Sequence, residues 1–201
     1  ALAEKRNLIF PLGNIILRKV SKFLDALKEL GHEDIYVTVN ISGLQLLRDE
    51  FIDAVKEAIG LSKRNWERLI FEITESVLVD NFNLINERLK EIKSLGGSVA
   101  LDDFGTGYSS LAEFRELNID LIKIDQSFIS RIGQYSEGAL IVQDIIAMSR
   151  KLGLKVVAEG VESETQMNYL RGHDCDIIQG FHLSRPLVGS DAIDFLEFHN
   201  K

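Results

Sequence analysis

With one cysteine in 201 residues the chain has no internal disulfide, and Cys175 stands in a polar run without a thiol partner that would make a redox or zinc site. Proline is nearly as scarce. Pro11 and Pro186 lie near the two ends, and no Gly/Ser-rich, low-complexity or repeated segment divides what lies between. A single globular domain over 1–201 is therefore expected, and the 45% of hydrophobic residues suffice for one sizeable core. No stretch approaches the run of about 18 apolar residues that a membrane helix needs, and no signal-peptide pattern opens the chain, which predicts a cytoplasmic protein without a membrane segment. Positive charge is also short. Lys and Arg number 23 against 31 Asp and Glu, a net charge of −8 that argues against a basic groove for a nucleic-acid polymer. An acidic protein can still hold a phosphate through bound cations.

What is present is organised around Ser98-Val99-Ala100-Leu101-Asp102-Asp103-Phe104-Gly105-Thr106-Gly107-Tyr108-Ser109-Ser110. Small and apolar residues read as a buried strand over 98–101, two carboxylates stand at its carboxyl end, and a glycine-bracketed turn leads to a helix starting near Ser109. Adjacent full negative charges repel, so the pair needs a cation, a shared proton or open solvent. Hard divalent ions supply such compensation through oxygen ligands.

Strand and helix signals alternate along the chain. Pro11 suits a first helical turn, and apolar residues from Leu12 to Leu30 recur at three- and four-residue steps up to Gly31. Ile35–Val39 reads as a β-branched strand ending at Asn40, followed by one helix over 44–59 stopped by Gly60. Strands are predicted at 69–73, 98–101, 121–124, 155–158 and 177–179, with helices at 84–95, around Leu111–Leu117, from Ile141 to Gly153, from the capping box Ser163-Glu164-Thr165-Gln166 to Gly172, and after Ser190. Six alternations with short connections point to parallel βαβ units, in a doubly wound sheet or a (β/α) barrel. Asn40, Glu72, Asp102 with Asp103, Lys123, Glu159 and Gln179 all fall at or near strand carboxyl ends, where α/β barrels assemble their sites.

Phe71-Glu72-Ile73-Thr74-Glu75, the Asp102-to-Ser110 run, Lys123-Ile124-Asp125, Ala158-Glu159-Gly160-Val161-Glu162 and Gln179-Gly180-Phe181 resemble, in order, the signature motifs of the EAL family of cyclic-di-GMP phosphodiesterases, and Val39-Asn40-Ile41-Ser42 resembles its Asn motif. The resemblance covers about Leu8 to Leu187. It implies a TIM-type (β/α) barrel, two divalent cations (Mg²⁺ or Mn²⁺) and hydrolysis of cyclic-di-GMP to linear pGpG. It also implies roles. Asn40, Glu72 and Asp102 resemble the ligands of one cation, and Asp102, Asp103 and Glu159 those of the other. Lys123 resembles the residue that orients the attacking water, and Glu159 also a base. Gln179 and Glu162 resemble ligand-binding residues, and Glu75 the anchor of the 105–107 loop. A homodimer, and a sensor or cyclase domain in the parent chain, are expected partners.

One departure weighs against these matches. The Glu-Ala-Leu strand that names the family is absent, and Glu57-Ala58-Ile59 lies inside a predicted helix. The expectation is a barrel incomplete by its first two strands, about six of eight, with one metal-ligand Glu missing and weak or no activity in this chain. A non-catalytic cyclic-di-GMP receptor and a regulatory interaction module are the alternatives. Retention of the Asp pair, Lys123 and the other carboxylates favours the enzyme.

Overall fold

The computed structural model describes residues 2–60, 63–78, 81–105, 111–133 and 136–199. In chain order the elements are α1 (Leu2–Lys5), α2 (Ile9–Glu29), β1 (Val37–Asn40), α3 (Gly43–Leu46), α4 (Phe51–Ile59), α5 (Lys63–Glu67), β2 (Leu69–Thr74), a 3₁₀ turn (Glu75–Leu78), α6 (Phe82–Ser94), β3 (Ser98–Phe104), α7 (Leu111–Glu116), β4 (Leu121–Ile124), α8 (Gln126–Ile129), α9 (Ser136–Lys151), β5 (Lys155–Ala158), α10 (Glu164–Gly172), β6 (Ile177–Ile178) and α11 (Gly189–His199). The predicted helix start near Ser109 and the 106–107 part of the glycine turn lie outside the described residues. No described helix is long and apolar enough to cross a membrane.

The glycine stops have a common mechanism. Behind α2, Gly31 turns left-handed (φ 84°), and the amides of Gly31 and His32 donate back to Lys28 and Leu27, which satisfies carbonyls that the helix end leaves open. Gly96 and Gly153 end α6 and α9 in the same way. Gly172 is the last residue of α10, as predicted, and Asp174 (φ 58°) takes the left-handed position behind it. Two predictions need correction. The helix predicted over 44–59 is two helices, because Ser42 and Gln45 form a capping box around the single turn of α3, and a bend at 47–50 then re-aims Phe51, Ile52, Val55 and Ile59 onto the core. The first strand starts at Val37 rather than Ile35, since the Ile35 carbonyl accepts from Arg68 Nε instead of joining the ladder.

All six strands pair in parallel in the order β1-β2-β3-β4-β5-β6. Side chains alternate between faces, so the register sorts them. Val39, Leu69, Phe71, Ile73, Val99, Leu101 and Ile122 face out into a core shared with Leu17 and Leu24 of α2, Val55 of α4 and Ile85, Leu89 and Ile92 of α6. A second core joins Val156 and Ala158 of β5 to Val142, Ile145 and Ile146 of α9 and Leu170 of α10. On the opposite, concave face Ile70, Ala100, Leu121 and Val157 form a small apolar layer of their own. Two residues further along each strand that face becomes Glu72, Asp102, Lys123 and Glu159.

The concave face is covered only in the middle. Thr38 and Asn40 on β1 and Ile177 on β6 belong to it by register, yet all three are exposed, Ile177 by 41%. Among the described residues β1 and β6 each pair on one side only, as expected for an unclosed barrel.

Candidate functional site

The centre of the site is a lysine inside the barrel mouth. Lys123 is the third residue of β4 rather than its terminal one, and Glu72 lies equally deep in β2, so both are 4% exposed. Lys123 Nζ stands 3.0 Å from Glu72 Oε1, 3.1 Å from Asp102 Oδ1 and 2.6 Å from Glu159 Oε1. A buried ammonium is tolerated when its protons are all accepted, and here three carboxylates accept them. Burial by itself would lower its pKa. The hydrogen bond to Glu159 and the charges of Glu72 and Glu159 outweigh that and raise it, so Lys123 is an ammonium at neutral pH.

Adjacent strand residues normally point to opposite faces, which would separate Asp102 from Asp103. A bulge prevents this. The β3–β4 register shifts between Leu101 and Phe104, which face Ile122 and Ile124, so two acids on β3 stand opposite the single residue Lys123. Asp103 takes a left-handed conformation (φ 55°), one of the few non-glycine residues that tolerate it. As a result Asp102, Asp103 and Glu159 can each bring a carboxylate oxygen within 4.8 Å of the other two. Burial raises the pKa of Glu159 despite its bond to Lys123. Asp103 is raised by burial first, and then by the charges of Asp102 and Asp125. The cluster thus carries more negative charge than its one ammonium offsets, and its donors are all hard oxygens, which fits a divalent cation.

The other predicted residues surround this cluster unevenly. Glu162 and Gln179 join Asp103 and Glu159 in lining a cavity of about 340 Å³. Asn40 pairs in register with Glu72 but is exposed at the sheet edge. Glu75 is buried, and Gly105 N donates to its Oε2 at 3.4 Å. Sequence reasoning gave no role to Asp125, Gln126 or Phe181, which also line the cavity. Asp125 carried a signal, an acid directly after a strand, and it caps α8 by accepting from Ser127 N. Gly160 (φ 68°) lets this wall close up, since a Cβ there would lie 2.5 Å from Gln126 Cβ.

The family description "EAL domain" matches residues 1–186. Among curated relatives, the cyclic di-GMP phosphodiesterase NbdA of Pseudomonas aeruginosa is 40% identical over 195 residues, 97% of this chain and 25% of the relative. The bifunctional diguanylate cyclase/cyclic di-GMP phosphodiesterase MucR of the same organism is 37% identical over 96% of this chain and 28% of its own length. The chain thus spans about a quarter of the length of these relatives. Among solved structures, the PaMucR phosphodiesterase in complex with c-di-GMP superposes with a TM-score of 0.90 at 36% identity, covering 95% of this chain and 77% of that one. The EAL domain of Mycobacterium smegmatis DcpA gives 0.86 at 34%, covering 95% and 86%. The six-stranded parallel array is therefore a TIM-type barrel wall.

Proposed function

The chain belongs to the EAL domain family, and from that premise we propose that it is the catalytic portion of a cyclic-di-GMP phosphodiesterase, in which water opens one phosphodiester bond to give linear pGpG. The observation that carries this reading is the convergence of Asp102, Asp103 and Glu159 beside a buried Lys123. Two divalent cations, Mg²⁺ or Mn²⁺, are assigned to this donor set, one to Asn40, Glu72 and Asp102, the other to Asp102, Asp103 and Glu159. Bound there, they supply an acidified water and neutralise phosphate charge. The chain's own residues do the rest. Lys123, held from three sides, places its positive charge beside the water and the phosphate, which orients the one and offsets the charge of the other, and Glu159 takes the water's proton. Gln179 and Glu162 hold polar edges of the substrate, and the exposed Phe181 ring offers a base a stacking face. Glu75 fastens Gly105 behind β3. The domain works in the cytoplasm as a homodimer, beside a sensor or cyclase domain.

Calorimetry and product analysis test the proposal together. Cyclic-di-GMP should bind in Mn²⁺ and lose affinity in EDTA, because a surface of net charge −8 repels a dianion without cations. Linear product formed by the chain lengthened upstream by two strands should vanish with Asp102→Ala. Equal affinity with and without metal would overturn the cation-dependent reading. Binding without any product, even after the chain is lengthened by two strands, would make it a receptor.

A further inference from the structure

A second cavity, also about 340 Å³, lies between α2 and the α3–α4 bend and shares no lining residue with the carboxylate site. Leu17, Phe51 and Val55 give it a buried apolar floor. Its polar wall carries donors that the fold does not use. Gln45 is only 5% exposed, and its Oε1 accepts from Ser42 N at 3.1 Å. Among the described residues its Nε2 has no hydrogen-bond partner, and it is reachable from the cavity rather than sealed in the core. The amide is pressed into place by Gly13, where a Cβ would stand 2.2 Å from Nε2. Across the same cavity the Arg48 guanidinium carbon lies 3.5 Å from the centroid of the Phe10 ring. Stacking occupies the face of the guanidinium and leaves its edge N–H groups free. Among the described residues Arg48 makes no ion pair, although Glu50 also lines the cavity.

We propose that this cavity binds a small organic carboxylate with an apolar body. A planar carboxylate accepts a paired contact from guanidinium N–H groups and a further bond from an amide, so it engages both unused donors at once. The hydrocarbon part then covers the floor of Leu17, Phe51 and Val55. A monoanion fits better than a phosphate dianion, because among the described residues one guanidinium is the sole cationic group lining the cavity and Glu50 adds negative charge at the same rim. The site is independent of the cyclic-di-GMP reading, since no residue of it touches that cavity.

The test is a titration of the 201-residue chain with 3-phenylpropanoate and, separately, its uncharged amide, followed by NMR at the Gln45 side-chain NH₂ and the Arg48 Nε–H. The carboxylate should shift both signals saturably and bind about 10- to 100-fold more tightly than the amide, the difference a charge-assisted pair makes. Arg48→Met, at an exposed position that keeps the alkyl stem on Phe10, should erase that preference, and Glu50→Gln should strengthen carboxylate binding. Absence of saturable shifts at millimolar probe, equal binding of the two probes, or an undiminished preference in Arg48→Met would each overturn the proposal.

Discussion

At the scale of single residues, Lys123 is the side chain on which the site's stability rests. Replacing it by Met leaves Glu72, Asp102 and Glu159 facing one another with no cation in a buried setting, so metal-free protein should lose about 3–5 kcal/mol in urea unfolding. Glu162→Ala, at an exposed position, should change it by less than about 0.5 kcal/mol. A loss below about 1 kcal/mol for the Met variant would show that the carboxylates are not held together as the structure places them. Cys175 makes the opposite case, a reactive group kept idle. Burial pushes its thiol up to about 11, with a smaller upward push from Asp176, and Sγ donates to the Ile177 carbonyl at 3.3 Å. Because only the thiolate is nucleophilic, folded protein should react negligibly with iodoacetamide at pH 8 and increasingly as the pH approaches 11, whereas urea-unfolded protein should react fully at pH 8.

At the scale of elements, the side chains of the candidate site depend on two backbone features. One is the β3 bulge that turns Asp102 and Asp103 to the same side. The other is the close passage of Gly180 under the turn after β5. A Cβ at Gly180 would meet Val161 O at 2.1 Å and Val161 N at 2.3 Å, contacts that no side-chain rotation relieves. Val161 N donates to Gln179 O and His182 N to Val161 O, so these bonds hold the segment carrying Gln179 and Phe181 against the site. Gly180→Ala should cost about 1–3 kcal/mol through overpacking and accelerate hydrogen exchange at the Val161 and His182 amides, with β2 and β3 amides little changed. Unchanged protection at Val161 would contradict the close approach.

At the scale of the whole molecule, the open edges govern behaviour. Asn40 and Ile177 should be covered in a closed barrel, but here they are exposed on strands paired on one side only. Unpaired strand edges and exposed apolar surface favour association, so sedimentation should show self-association that grows with concentration. A monomer at high concentration would refute this. The same openness bears on turnover. If β1, paired on one side only, shifts Asn40 relative to Glu72 by about 1 Å, the rate falls by up to about 10²-fold. A version lengthened upstream by two strands should therefore cleave cyclic-di-GMP much faster in Mn²⁺ than the 201-residue chain, and equal turnover would rule out closure as the limiting factor.

Local chemistry was enough to place most elements. Apolar period, β-branching and left-handed glycines act within a few residues, and they located β4 and β5 to the residue and the ends of α2, α6 and α9. Where a longer-range partner competed, the reading slipped: Arg68 drew the Ile35 carbonyl out of the strand, and the Ser42–Gln45 box and the bend behind it split a continuous apolar stripe into two helices. The acids and Lys123 were legible as a set because each stands at or near a strand end. Their geometry was not. That Asp102 and Asp103 share one side follows from a register shift against β4, and that Lys123 is enclosed by Glu72, Asp102 and Glu159 follows from the pairing of β2 through β5. Asp125, Gln126 and Phe181 enter the cavity only because successive barrel strands bring their carboxyl ends together, a convergence that no sequence spacing encodes.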